Sequence, residues 1–193
     1  MINVLFMGGT FDPVHRGHLA MAHQAYQTLR PDLLLFVPAA RNPLKEQQPL
    51  ATTMQRLEML QIALQQTGFE IDDWEMHQEG VSYTWQTVNH LRERFGERAR
   101  LGMLIGEELL EQLPDWSHWP ELERELEFVI LPRKSAGRPS NYPRCWRQLD
   151  APQVDISATQ IRDTIAAGAS AAGLLPPAVW DYIQQQLLYR RVD

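Results

Sequence analysis

Cysteine is almost missing from this chain. Cys145 is the only one in 193 residues, which excludes an internal disulfide and a zinc site built on a cysteine set. Long apolar runs are missing as well. The short run ending at Met7 is too brief to span a bilayer, and it lacks the basic flank and small-residue cleavage site of a signal peptide. Positive charge is not in excess: the net charge is −6 and the isoelectric point is near 5.5, which argues against a general nucleic-acid binder. Neither the dinucleotide fingerprint G-x-G-x-x-G nor the P-loop G-x-x-x-x-G-K-[ST] occurs. Repeats, low-complexity tracts and heptads are absent too, so the sequence gives no handle on oligomeric state. These absences predict a cytoplasmic protein with no membrane or nucleic-acid partner. The length predicts one domain over residues 1–193.

What is present is an alternation of short β-rich runs and helical periods. Ile2–Met7, Leu33–Val37, Phe69–Ile71, Leu101–Ile105 and Glu127–Leu131 are the strand candidates. Between them, 18–29 places Leu19, Ala22, Tyr26 and Leu29 on one helical face. The stretch 53–65 repeats the pattern with Leu57, Leu60 and Leu64 behind a threonine cap, and 84–95 with Val88, Leu91 and Phe95 before Gly96. A last helix runs from Pro176-Pro177 to Leu188, with proline in its first turn. Such alternation predicts an α/β fold, a Rossmann-like doubly wound parallel sheet with right-handed crossovers. Ligands on such sheets lie at the carboxyl ends of the strands.

The segment at the end of the first strand reads Gly8-Gly9-Thr10-Phe11-Asp12-Pro13-Val14-His15-Arg16-Gly17-His18. Gly8-Gly9 let the backbone turn sharply and approach a ligand, and Gly17 keeps the following helix start open. A helix start offers free N–H groups and a positive dipole end, which suits a phosphate. His15 and His18, three apart on one face, can donate to a non-bridging phosphate oxygen as charge develops. A metal pair is the other reading of two such histidines. With no third ligand in view, no protein-held metal is expected. Elsewhere, the acidic run from Glu107 to Glu127 reads as solvated surface. The basic stretch Arg133, Lys134, Arg138, Arg144 and Arg147 reads either as surface or as a loop that meets a polyphosphate.

Residues 8–18 resemble the H-x-G-H signature of the nucleotidylyltransferase superfamily, and Ile156-Ser157-Ala158-Thr159-Gln160-Ile161-Arg162 resembles its I-S-[SA]-T-x-I-R segment. Within that superfamily the chain is similar to the bacterial nicotinate-nucleotide adenylyltransferases. Phe11-Asp12-Pro13-Val14-His15 carries histidine where the phosphopantetheine enzymes have threonine. Ser82-Tyr83-Thr84-Trp85-Gln86-Thr87, Asp115-Trp116-Ser117-His118-Trp119 and the ending Leu187-Leu188-Tyr189 match further family segments.

The resemblance implies a transfer of AMP from ATP to nicotinate mononucleotide, giving deamido-NAD and pyrophosphate. His15, His18, Lys45 and Arg162 are then the catalytic candidates. Gly8, Gly9, Thr10, Phe11, Gly106, Glu108, Ser157 and Thr159 would bind ATP, with Mg²⁺ carried on its phosphates. Tyr83 and Thr84, through backbone N–H groups, would take the nicotinate carboxylate and Trp116 its ring. Plain alternatives stay open: Ser157 and Thr159 also suit a helix cap, and Trp116 a half-buried core position. Three departures stand out: Glu108 where the family's I-G-x-D has aspartate, Leu44 where its loop has histidine, and Ala158 in place of a second serine. Two other readings compete. One is adenylation of phosphopantetheine or nicotinamide mononucleotide on the same fold; the other is a silent nucleotide sensor.

Overall fold

A parallel sheet covered on both faces needs strands that are apolar on both faces. β1 (Asn3–Gly9), β2 (Leu33–Pro38), β4 (Arg100–Gly106) and β5 (Leu126–Leu131) meet that demand in their central residues. In the computed structural model, which describes residues 1–41, 48–78, 80–132, 142–149 and 156–191, they join β3 (Glu70–Ile71) and β6 (Trp146–Gln148) in one six-stranded sheet. Its order is β3-β2-β1-β4-β5-β6, and every pairing is parallel. Successive residues of β1 feed opposite cores. Leu5 and Met7 join α1 (Arg16–Leu29), α2 (Thr53–Leu64), α5 (Ala158–Ala166) and α6 (Pro177–Gln185). Val4 and Phe6 join α3 (Thr84–Phe95), the 3₁₀ stretch Glu107–Asp115 and α4 (Trp119–Glu125). This is the expected doubly wound architecture.

All five expected strands are present, each within two residues of its expected bounds. β6 has no counterpart among the expected strands, because three exposed residues at a sheet edge, Trp-Arg-Gln, are too few to show an alternating pattern. α1 begins at Arg16 rather than His18, since His15 takes the cap position. Of its expected face, Ala22 is buried and Leu19 and Leu29 pack on the core, with Ala25 buried beside them, whereas Tyr26 stays exposed in an edge-type contact with the Phe69 ring. Thr52 caps α2, its hydroxyl accepting the Gln55 N–H at 3.2 Å while Gln55 Oε1 accepts the Thr52 N–H at 2.9 Å. The acidic run is not all surface, for Leu110, Leu113 and Leu122 within it are buried. Among the described residues, no helix is long and apolar enough to cross a membrane.

One detail of register positions everything that follows. β1 stays paired with β2 as far as Gly9↔Pro38, and β4 with β5 as far as Gly106↔Leu131. Between β1 and β4, however, pairing stops at Phe6↔Met103. The two strands part over their last three residues, at the point where the winding reverses, and leave a crevice there.

The C-terminal helix is part of the core. Ile183 is fully buried in the same apolar cluster as Met59 and Leu60 of α2. Ile183→Ala should therefore lose about 2–5 kcal/mol of stability in urea denaturation.

Candidate active site

The crevice opens into a cavity of about 850 Å³. Its floor is the parted ends of β1 and β4, including Gly8, Gly9 and Gly106. The turn after β1 does not bend at the glycines. Phe11 is the residue in the left-handed region, at φ 49°, and its ring folds back over Gly9, where a Cβ would lie 2.9 Å from the ring. Gly9 is thus needed for space rather than for a turn conformation. The Phe11 ring then meets His18 edge-on at 5.0 Å and Phe36 at 5.5 Å.

His15 caps α1 in an extended conformation and is buried. Its ring stacks on that of His18, centroids 3.7 Å apart. A Cβ on Gly17 would lie 2.9 Å from His15 Nδ1, so glycine is what lets the first ring lie against the helix. His18 Nδ1 accepts the His15 backbone N–H at 3.2 Å. The neutral His18 ring therefore carries its proton on Nε2, which makes that nitrogen a donor. Both histidines and Thr10 line the cavity.

The second motif arrives from the far end of the chain. Ser157 caps α5, its hydroxyl accepting the Gln160 N–H at 3.1 Å. Arg162 donates to the Asp12 backbone oxygen at 2.8 Å and to Thr159 Oγ1 at 3.2 Å. A hydrogen bond across 150 positions thus ties the two motifs together. Ser157, Thr159 and Arg162 all face the cavity. Ser157 combines the capping reading with a place at the site.

Glu108, Trp116, Tyr83 and Thr84 also line the cavity. The Glu108 carboxylate folds back over Gly106, where a Cβ would lie 2.2 Å from it. Trp116 is half-buried, and its Nε1 has no hydrogen-bond partner among the described residues. Tyr83 caps α3, and its N–H reaches Gln86 Oε1 at a long 3.4 Å. An anionic group could displace so weak a neutral acceptor.

Lys45 lies outside the described residues, as do Arg133, Lys134 and Arg138. The two described arginines of the basic stretch are committed to acidic neighbours: Arg144 pairs with Glu123 at 3.2 Å and Arg147 with Glu127. For these two, the surface reading is the better one. Among the described residues, no group of three or more His, Cys, Asp or Glu side chains is placed to hold a metal.

Four residues of the site's frame had no role assigned from the sequence. Asp12 and Tyr189 belong to the motif segments, and both are buried and line the cavity. Arg56 is 1 % exposed; the sequence clue was an arginine on the same i, i+4 row as Leu60 and Leu64. Glu75 is buried on the cavity wall, where its carboxylate accepts a hydrogen bond from the Thr87 hydroxyl and lies near that of Ser82. Ser82 Oγ in turn accepts the Ala40 N–H at 3.0 Å. Burial pushes the Glu75 carboxyl above the usual carboxylate range; the two hydroxyls and His90 oppose this, and Asp72 adds to it.

Comparison with known proteins agrees with this geometry. The cytidylyltransferase-like family model matches residues 6–164. A Staphylococcus epidermidis protein described as "Probable nicotinate-nucleotide adenylyltransferase" is 32 % identical, with 96 % of each chain covered. A Rhodopirellula baltica protein of the same description is 34 % identical over 95 % of this chain and 92 % of its own. The chain belongs to the nicotinate-nucleotide adenylyltransferase family. The fold agrees too: Plasmodium falciparum nicotinic acid mononucleotide adenylyltransferase, solved in complex with NaAD, superimposes with a TM-score of 0.84 at 18 % identity, covering 98 % of both chains.

Glu75 gives this member a pH signature. Its raised carboxyl favours the folded state below the ordinary value of 4.5, and that advantage is lost as pH rises through the raised value. Glu75→Gln keeps an acceptor for the Thr87 hydroxyl and removes the titration. The melting temperature of the variant relative to the parent should increase from about pH 5 to about pH 8; a constant difference would mean that Glu75 does not titrate in this window.

Proposed function

We propose that this chain transfers AMP from ATP to nicotinate mononucleotide, yielding deamido-NAD and pyrophosphate, and that residues 1–193 act as one nucleotidylyltransferase domain. The observation that carries the reading is the meeting of both motifs on one cavity, at the place where β1 and β4 part. A phosphate oxygen of the mononucleotide attacks the α-phosphorus of ATP, and the bond from that phosphorus to the bridging oxygen of the β-phosphate breaks. Pyrophosphate leaves with the electron pair, so no covalent enzyme intermediate is needed.

Each group has a task in this scheme. His18 Nε2–H and His15 donate to the α-phosphate as charge develops in the transition state, with Thr10 donating from the turn. Arg162, Ser157 and Thr159 hold the β- and γ-phosphates at the start of α5. Arg162 keeps its direction because Asp12 and Thr159 already occupy part of its fork. Gly8, Gly9 and Phe11 form the surface on which the nucleotide lies, and Glu108 reaches a nucleotide hydroxyl beside Gly106. Lys45 would add a positive charge on the phosphates. The substrate is ATP with its magnesium, the ion held by phosphate and water rather than by a cage of side chains. Trp116 stacks on the nicotinate ring, and the N–H groups at Tyr83 and Thr84 take its carboxylate. An amide there would set an NH₂ against N–H donors, which favours the acid. The reading carries a cytoplasmic setting with it, and no nucleic-acid or membrane partner.

Steady-state pyrophosphate release with ATP, comparing nicotinate mononucleotide with its amide, tests this directly. A preference for the acid of about a hundredfold, or roughly 3 kcal/mol, is expected. His18→Ala should lower kcat by about 10²–10³ while ATP still binds. Comparable rates on acid and amide would retire the account of Tyr83, Thr84 and Trp116. Gly106→Ala probes the nucleotide end. A methyl there must push the Glu108 carboxylate aside, so KM for ATP should rise up to about tenfold with little change in melting temperature.

A further inference from the structure

The turn after β1 is held by hydrogen bonds within the protein that converge on Asp12. Its carboxylate accepts three hydrogen bonds: from the Leu50 N–H at 2.9 Å, from the Ala51 N–H at 3.1 Å and from the Tyr189 hydroxyl at 2.7 Å. Its backbone oxygen is the one that accepts from Arg162. One residue therefore joins the turn, the approach to α2, the start of α5 and the end of the chain. Arg56 secures the same turn from α2, with NH1 on the oxygens of Thr10 at 2.8 Å and Ala39 at 2.7 Å, and NH2 on Ala40 at 3.2 Å.

Tyr189 reaches this hub at a conformational cost. Leu187 and Tyr189 both take left-handed backbone conformations, at φ 55° and 63°, which side chains with a Cβ disfavour. Strain of this kind persists only where the surroundings over-determine it. Here it turns a tyrosine near the end of the chain inward, 177 positions from its acceptor. Burial and the Asp12 carboxylate both hold the phenol far above its usual value, so it remains a donor throughout the neutral range.

We propose that Tyr189 and Asp12 form a positioning pair that sets the geometry of the phosphate turn and of Arg162 for adenylyl transfer. The inference rests on the function proposed above. Neither residue takes part in bond making. Their effect passes through the Asp12 backbone oxygen to Arg162, and through the turn to His15 three residues on. Placement errors well below the size of an atom are costly in a reaction that depends on alignment.

The test is steady-state kinetics on the full chain for Tyr189→Phe, Asp12→Asn and the double variant, with Ile183→Ala as a packing control. Tyr189→Phe should lower kcat about tenfold and leave KM for both substrates within about twofold. Ile183→Ala, which loosens the same end of the chain without touching Asp12, should lose melting temperature and keep kcat. Because Tyr189 acts through Asp12, the phenylalanine change should cost nothing further in the Asp12→Asn background. A Tyr189→Phe enzyme with parental kcat would overturn the pairing. So would equal kcat losses in Tyr189→Phe and Ile183→Ala, or multiplicative losses in the double variant. Failure of the functional reading looks different: the parent chain itself would release no pyrophosphate from ATP and nicotinate mononucleotide, and the pairing would fall with it.

Discussion

Two neighbouring strands that feed connections on opposite faces cannot both be covered at their carboxyl ends, and in this sheet those strands are β1 and β4. Their pairing ends at Phe6↔Met103 while each continues with its outer neighbour. Everything at the site depends on that parting. It exposes the end of β1, brings the start of α1 to the rim, and leaves room on the other side for Gly106 and Glu108. The cavity is thus a consequence of how a parallel sheet is wound, and the side chains determine only what it holds.

Space is then the controlling quantity. Phe11 folds over Gly9, the His15 ring lies against Gly17, and the Glu108 carboxylate fills the room a Cβ would take on Gly106. In each case the missing atom belongs to the backbone partner, and the side chain that occupies the gap lines the cavity. Stacked 3.7 Å apart, the two histidines have little freedom to reorient. An arrangement that needs no rearrangement on the approach of charge is what electrostatic stabilisation of a transition state requires.

Much of this was legible in the sequence, and the limit has a physical form. The central strands announced themselves because burial on both faces requires unbroken apolar runs. The motif residues stood out through the resemblance of 8–18 and 156–162 to a known signature, and the structure brings both segments to one cavity. The edge strand β6 was illegible because exposed residues at an edge obey no pattern. The sequence assigns Gly9 a sharp turn and the approach of a ligand; the structure instead puts the left-handed backbone at Phe11, and the group that lies against Gly9 is the Phe11 ring. The long-range polar contacts were the least legible. Arg56 to Thr10 and Tyr189 to Asp12 join positions 46 and 177 apart, and no periodicity encodes such a distance.

Those contacts also explain why polar groups are buried here at all. A buried guanidinium is expensive unless its donors are satisfied, and an apolar residue of similar volume would often be the more stable choice. Burial accordingly pulls the Arg56 guanidinium below its ordinary value, with Asp12 and Tyr189 opposing. What the arginine supplies is geometry. Its planar fork reaches the oxygens of Thr10 and Ala39 from one nitrogen and Ala40 from the other. It thereby fixes the end of β1 against the end of β2, beyond the last residues that the sheet itself pairs. A lysine would deliver a single mobile point of charge, and a methionine would leave two buried oxygens and a part-buried one without that donor. The arginine therefore continues the work of the β-ladder where the ladder has to stop, and the turn that bears the glycine–histidine motif begins at that point.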